Sequence, residues 1–163
     1  MADKSDFTSE EWQQIITAPQ MAALYVALAS PSGPVGVVTE LMAASKLIVQ
    51  AIKASTGNAL IDAVASDFRE KAEKREKMEA PHMSKDPNEL KAQCLQACRD
   101  LAALLAQKAP AEAEGYKQWV QQAAQDSAEA AKEGGFLGIG GKRVSDAEVA
   151  ALGDLAAALG IAV

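Results

Sequence analysis

Thirty-five alanines in a chain of 163 residues, against three phenylalanines, two tyrosines and two tryptophans, constrain this fold more than any other feature. Alanine loses no side-chain entropy in a helix and is the best helix former. The β-branched and aromatic runs that favour strands are missing. The sequence therefore predicts an all-α fold. We expect a compact bundle of six or seven helices, mostly antiparallel neighbours, in a single domain over 1–163. A core of such small residues implies close helix-to-helix approach.

Start and stop signals divide the chain. Thr8 and Glu11 have capping-box spacing, with Phe7 and Trp12 at the staple positions either side. Residues 1–7 before them are expected to be disordered or loosely attached. The first helix is expected to run to about Ala18, and Pro19 to open a second short helix with Met21, Leu24, Tyr25 and Leu28 on one face. Ser30–Pro34 reads as a turn. A long helix over Val35–Ala54 follows, with Val38, Leu41, Met42, Ser45, Ile48, Val49 and Ile52 as its apolar stripe. Gly57 stops it and Asn58 caps the next helix, which carries Leu60, Ile61, Val64 and Phe68.

Beyond Phe68 the apolar stripe vanishes. The run Arg69–Glu79 pairs Glu70 with Lys74 and Glu73 with Lys77 in the favourable i,i+4 order, so a solvated helical arm is expected there. A polar loop over 80–86 separates the second half. Asp86 caps a new helix, with Pro87 at its first position and Glu89 completing a box. Its stripe is Leu90, Cys94, Cys98, Leu101 and Leu105. Ala109-Pro110 ends it. A helix from Ala111 to Lys132 then faces inward through Tyr116, Trp119, Val120, Ala123, Ser127 and Ala130. The last helix follows Val144-Ser145-Asp146-Ala147-Glu148-Val149, a second capping box, and its inward stripe is Val149, Leu152, Leu155 and Leu159.

Several function classes fail on charge and composition. A net charge of −6 opposes nucleic-acid binding, which needs an excess of Lys and Arg. No apolar stretch reaches the roughly 20 residues of a membrane span. The polar, acidic start is unlike a secretion signal, and two cysteines fit a reduced, cytoplasmic chain. Cys94 and Cys98 lie one helical turn apart on a core face and read as packing residues. The single histidine, His82, lies in a polar loop and assembles neither a triad nor a Glu-x-x-His metal set. Hence no catalytic residue, metal or cofactor is expected, and the chain reads as a non-enzyme.

The segment EGGFLGIGGKRVSDAE, starting at Glu133, needs its own account. Five glycines, Gly134, Gly135, Gly138, Gly140 and Gly141, surround Phe136, Leu137 and Ile139. A dinucleotide loop requires G-x-G-x-x-G after a strand, and a phosphate-binding P-loop requires G-x-x-x-x-G-K-[ST]. Here the order is GGxxGxGG after a helix, the G-to-GK spacing is one residue too long, and Arg143 stands at the hydroxyl position. Calcium ligands are missing too. The segment reads as a 134–144 loop joining two helices, with glycines for its corners. Phe136, Leu137, Ile139 and Arg143 are its candidate partner-binding residues.

The tail AAKEGGFLGIGGKRVSDAEVAALGDLAAALG resembles the C-terminal segment of a set of small uncharacterised bacterial all-helical proteins, and FTSEEWQQIITAPQMAALYVALASPSGPVG is similar to their N-terminal part. Gly140–Glu148 has a cadence similar to the turn of TerB-like (tellurite-resistance) helical domains. Glycine replaces the acidic ligand positions of that turn, so the likeness implies no metal residue here. These resemblances imply a helical fold and bring no activity. The function expected is protein–protein interaction, in a stress-related or accessory role, with an unknown protein partner. The alternative is a binder of a small apolar ligand between alanine-rich helices near Ala123 and Ala130.

Overall fold

The computed structural model describes residues 1–30, 45–77, 82–133 and 144–162. Every regular element among them is helical. A 3-10 turn at Lys4–Asp6 precedes α1 (Ser9–Ala29). Helix α2 is described over residues 45–53. Then come α3 (Ala59–Lys74), α4 (Pro87–Lys108), α5 (Pro110–Glu133) and α6 (Asp146–Leu159). The expected all-α class is what the structure has.

Helix α1 is the centre of the bundle and packs against α4, α5 and α6. Its residues 15–19 and 21–27 are buried, so it is covered on nearly every side from Ile15 to Ala27. That is the pattern of a helix hydrophobic all round. Helix α4 also meets α5 and α6, while α3 rests on α5 and touches the 3-10 turn. Close approach is set by small residues, as the alanine content implies. Ala23 on α1 and Ala123 on α5 are both fully buried in one cluster.

Pro19 does not break the chain into two helices. It lies inside α1 and is buried. A proline at this position removes the N–H that would have bonded the carbonyl of Ile15. Tyr116 of α5 takes that carbonyl instead, its Oη donating to Ile15 O over 2.8 Å. The helix continues because a distant side chain satisfies the group its proline orphans.

Four N-caps form where sequence placed them. Thr8 accepts from the Glu11 N–H and Glu11 accepts from the Thr8 N–H. Asn58 accepts from Leu60 and Ile61. Asp86 accepts from Asn88 and Glu89, with Pro87 at the start of α4. Ser145 and Glu148 form the box that opens α6. The Phe7 and Trp12 rings meet with centroids 6.0 Å apart, as a staple requires. Ala109 alone separates α4 from α5. A residue before proline is pushed out of the helical region, and Ala109 sits at φ −140°, ψ 52°.

Other local expectations are overturned. The Glu89 carboxylate does not close a box on Asp86; it accepts from Ser84 Oγ at 2.6 Å. Helix α3 stops at Lys74, with Arg75 left-handed at φ 53°. The Glu70–Lys74 pair forms, but Lys77 lies past the end of α3, so Glu73 and Lys77 do not share a helix. Val149 faces solvent at 57% exposure, and the buried stripe of α6 runs through Glu148, Ala151, Leu152, Leu155, Ala156 and Leu159. Val49 and Ser45 on α2 are also exposed, while Ile48 and Ala51 point inward. Residues 1–7, expected as a loose end, are tied at several points: Ala2 and Phe7 are buried, and the Ala2 N–H donates to Glu112 Oε1 at 3.1 Å.

Candidate functional site

Phe136, Leu137, Ile139 and Arg143, the partner-binding candidates of the sequence, lie outside the described residues, as do most of the 134–144 loop and the turn after Ser30. Among the described residues a concave feature lies elsewhere. An open groove of about 500 Å³ runs beside the first half of α1, lined by Lys4, Ser9, Glu10, Trp12, Gln13, Gln14, Thr17 and Lys71.

The groove is built on one buried acid. Asp67 lies on α3 at 5% exposure. Its Oδ1 accepts from Lys4 Nζ at 2.6 Å. Its Oδ2 accepts from Trp12 Nε1 at 3.2 Å and faces Lys71 Nζ at 3.0 Å. Three elements thus converge on one carboxylate: the 3-10 turn, α1 and α3. Each link has a local cause. Lys71 is one turn beyond Asp67 on the same helix. Trp12 is held by its staple with Phe7, and a buried indole N–H seeks an acceptor. Burial alone would raise the Asp67 pKa, but hydrogen bonds from Lys4, Lys71 and Trp12 hold it below its ordinary value.

A second anchor ties α1 to α4. Lys108 Nζ donates to Glu11 Oε2 at 2.6 Å and sits 5.9 Å from the centre of the Phe7 ring. The same Glu11 oxygen caps Thr8 at 2.8 Å. The hydrogen bonds from Lys108 and Thr8 hold the Glu11 carboxyl below its usual range. The entrance to α1, and so one end of the groove, is fixed from both sides.

Reactive groups elsewhere are disarmed by burial. Cys94 and Cys98 are fully buried, and burial pushes their thiols up to about 11 and about 12, far from the thiolate that nucleophiles and metal ligands need. Tyr25 Oη donates to Asp154 Oδ2 at 2.9 Å, joining α1 to α6, and its phenol is pushed up to about 12 by burial and that carboxylate. His82 is exposed. Among the described residues, no three His, Cys, Asp or Glu side chains gather where a metal ion could be held. No described helix is long and apolar enough to cross a membrane.

Comparison with family models, curated proteins and solved structures finds no match to this chain.

Sequence reasoning did not single out Asp67, Lys4 or Lys71. One local signal was present: Asp67 and Lys71 have i,i+4 spacing in the second half of α3. The decisive partners, Trp12 and Lys4, are 55 and 63 residues away along the chain, and nothing in local pattern links them.

Proposed function

We propose that this chain is a non-enzymatic, cytoplasmic helical protein that works by holding another protein, in an accessory role. The observation that supports the reading best is the groove beside α1. Its walls are fixed by a buried carboxylate shared among three elements, while its rim offers exposed polar side chains such as Gln14, Ser9 and Glu10. A rigid concave surface with adaptable polar groups suits recognition of a polypeptide. The glycine segment, through Phe136, Leu137, Ile139 and Arg143, is proposed as a second contact on sequence grounds.

The test is site-directed photo-crosslinking in the native cell. A crosslinker at Gln14, in the groove, is compared with one at Gln96, an exposed position on α4. Adducts of discrete mass at Gln14 and not at Gln96 support the reading. Equal labelling at both, or none at Gln14, overturns the groove as the contact. Phe136→Asp, with folding checked by circular dichroism, tests the second contact: an unchanged partner profile removes it.

A further inference from the structure

Residues 1–6 are held to the bundle mainly by polar bonds. Ala2 is buried, while Met1 and residues 3–6 are exposed. The segment has internal order of its own. Asp3 N–H donates to Asp6 Oδ2 at 2.9 Å, Ser5 N–H and Oγ both donate to Asp3 Oδ1, and Asp6 N–H donates to the Asp3 carbonyl at 3.1 Å. Its ties to the helices are made at separate points. Lys4 Nζ donates to Asp67 Oδ1 of α3 at 2.6 Å. Ala2 N–H donates to Glu112 Oε1 of α5 at 3.1 Å, and the Met1 ammonium lies 3.8 Å from the same oxygen. Lys108 Nζ of α4 reaches the Asp6 carbonyl at a long 3.4 Å.

Each receiving group keeps a second support. Asp67 retains Trp12 and Lys71. Lys108 retains Glu11 at 2.6 Å. Glu112 stands in the first turn of α5, where the unpaired helical N–H groups favour negative charge. Undocking residues 1–6 therefore gives Glu112 back to water and strands no buried charge. The joint with α1 is ready-made. Phe7 is extended at φ −120°, ψ 148°. Beyond it, the Thr8–Glu11 box and the Phe7–Trp12 ring contact hold the entrance of α1 without help from residues 1–6.

We infer that residues 1–6 form a strap that lifts as a unit about Phe7, uncovering the carboxylates of Asp67 and Glu112 while α1 and α3 stay joined through Trp12, Asp67 and Lys71. Local opening of this kind occurs where few apolar contacts oppose it. The Lys4 side chain is 58% exposed, so salt screens the main tie and favours the open form. Lys4 also lines the groove, so the strap is its releasable wall. That consequence for access rests on the partner-binding reading above; the motion itself does not.

Nuclear magnetic resonance on the full chain, with no partner present, tests the strap. Nitrogen-15 relaxation reads the order of residues 2–6, and hydrogen exchange of the Trp12 indole proton reads the α1–α3 junction. In Lys4→Gln, order parameters of residues 2–6 should fall together from the rigid range near about 0.85 toward about 0.6. Raising salt from about 0.01 M to about 1 M should move the parent the same way. Lys4→Arg should stay close to the parent. Throughout, the Trp12 indole proton should keep its exchange rate within about threefold, the span of a weak surface ion pair. Unchanged order in Lys4→Gln overturns the strap, because the tie proposed to hold it does not. Loosening of the Trp12 indole together with residues 2–6 also overturns it, because the segment then opens with α1 and α3 and is no separate unit. Crosslinking at Gln14 can fail while the strap still lifts, and the strap can fail while Gln14 still crosslinks, so the two readings fall separately.

Discussion

The phenol of Tyr116 donates 2.8 Å to the carbonyl of Ile15, the acceptor that Pro19 leaves without its helical partner. Both residues are fully buried. Tyr116→Phe removes the donor and strands a buried carbonyl, so the expected loss is about 1–3 kcal/mol in a urea denaturation. The cause is checked by a double-mutant cycle. Pro19→Ala returns an N–H to Ile15, and in that background Tyr116→Phe should cost at least about 1 kcal/mol less. Equal costs in both backgrounds would show that Tyr116 acts by packing alone.

Two helical glycines should respond oppositely to alanine. A Cβ on Gly115 of α5 meets Asn58 Nδ2 at 2.7 Å. Asn58 caps α3 and donates from that same nitrogen to Glu112 O at 2.9 Å. Gly115→Ala therefore displaces a cap and a helix–helix hydrogen bond together, at an expected cost of about 1–3 kcal/mol. A Cβ on Gly153 of α6 meets nothing within 4 Å. Gly153→Ala should raise stability by up to about 1 kcal/mol through helix propensity. Denaturation midpoints of the two variants, moving in opposite directions from the parent, check both.

What was legible in the sequence was local. The caps at Thr8, Asn58, Asp86 and Ser145 depend on a few consecutive residues, and all four form. What misled depends on groups far along the chain or on which neighbours cover a face. Pro19 looks like a breaker until Tyr116, on another helix, supplies its missing bond. Val149 fits an apolar stripe by spacing, but Glu148 turns inward to cap Ser145 and takes the buried place. Arg75 adopts the left-handed conformation without the glycine that usually announces a helix end. Of the groove, only the Asp67–Lys71 spacing was readable, because the other partners join through tertiary packing.

The inward turn of Glu148 makes Ser145 an unusual cap. Ser145 N–H and Oγ both donate to Glu148 Oε2 at 2.7 Å, and Oγ accepts from the Glu148 N–H at 3.2 Å. Glu148 is only 2% exposed. Ser145→Ala should cost about 1–2 kcal/mol, at the upper end for a lost cap. Aspartate ordinarily caps as well as serine. Here it would set a second carboxylate against a buried one and remove the hydroxyl donor. Ser145→Asp is therefore expected to be no more stable than Ser145→Ala at neutral pH, measured by thermal or urea unfolding. An aspartate variant matching the parent would show that Glu148 does not need the hydroxyl.

Asp67 should give the fold a specific acid sensitivity. Its folded pKa lies below the ordinary value of 3.8 because hydrogen bonds from Lys4, Lys71 and Trp12 outweigh the desolvation that raises it. A depressed carboxyl contributes stability that is fully present above its unfolded pKa and is lost as pH falls through the folded one. The window is therefore below about pH 4. Asp3, Glu11, Asp62 and Glu70 are also held low and titrate in the same range, so the parent's acid unfolding alone does not isolate Asp67. The difference between parent and Asp67→Asn does. At neutral pH the variant leaves two lysines without their shared anion, an expected loss of about 2–4 kcal/mol, somewhat below that of a fully buried pair because Lys4 is half exposed. That gap should narrow steadily below pH 4, as the parent's own Asp67 takes up a proton and its ion pairs dissolve. It should stay constant from pH 5 to 8, where the carboxylate is ionised in both folded and unfolded chains. A gap independent of pH down to the acid limit would mean that Asp67 stabilises the fold through shape and neutral hydrogen bonding, and that the lysines are not held by its charge.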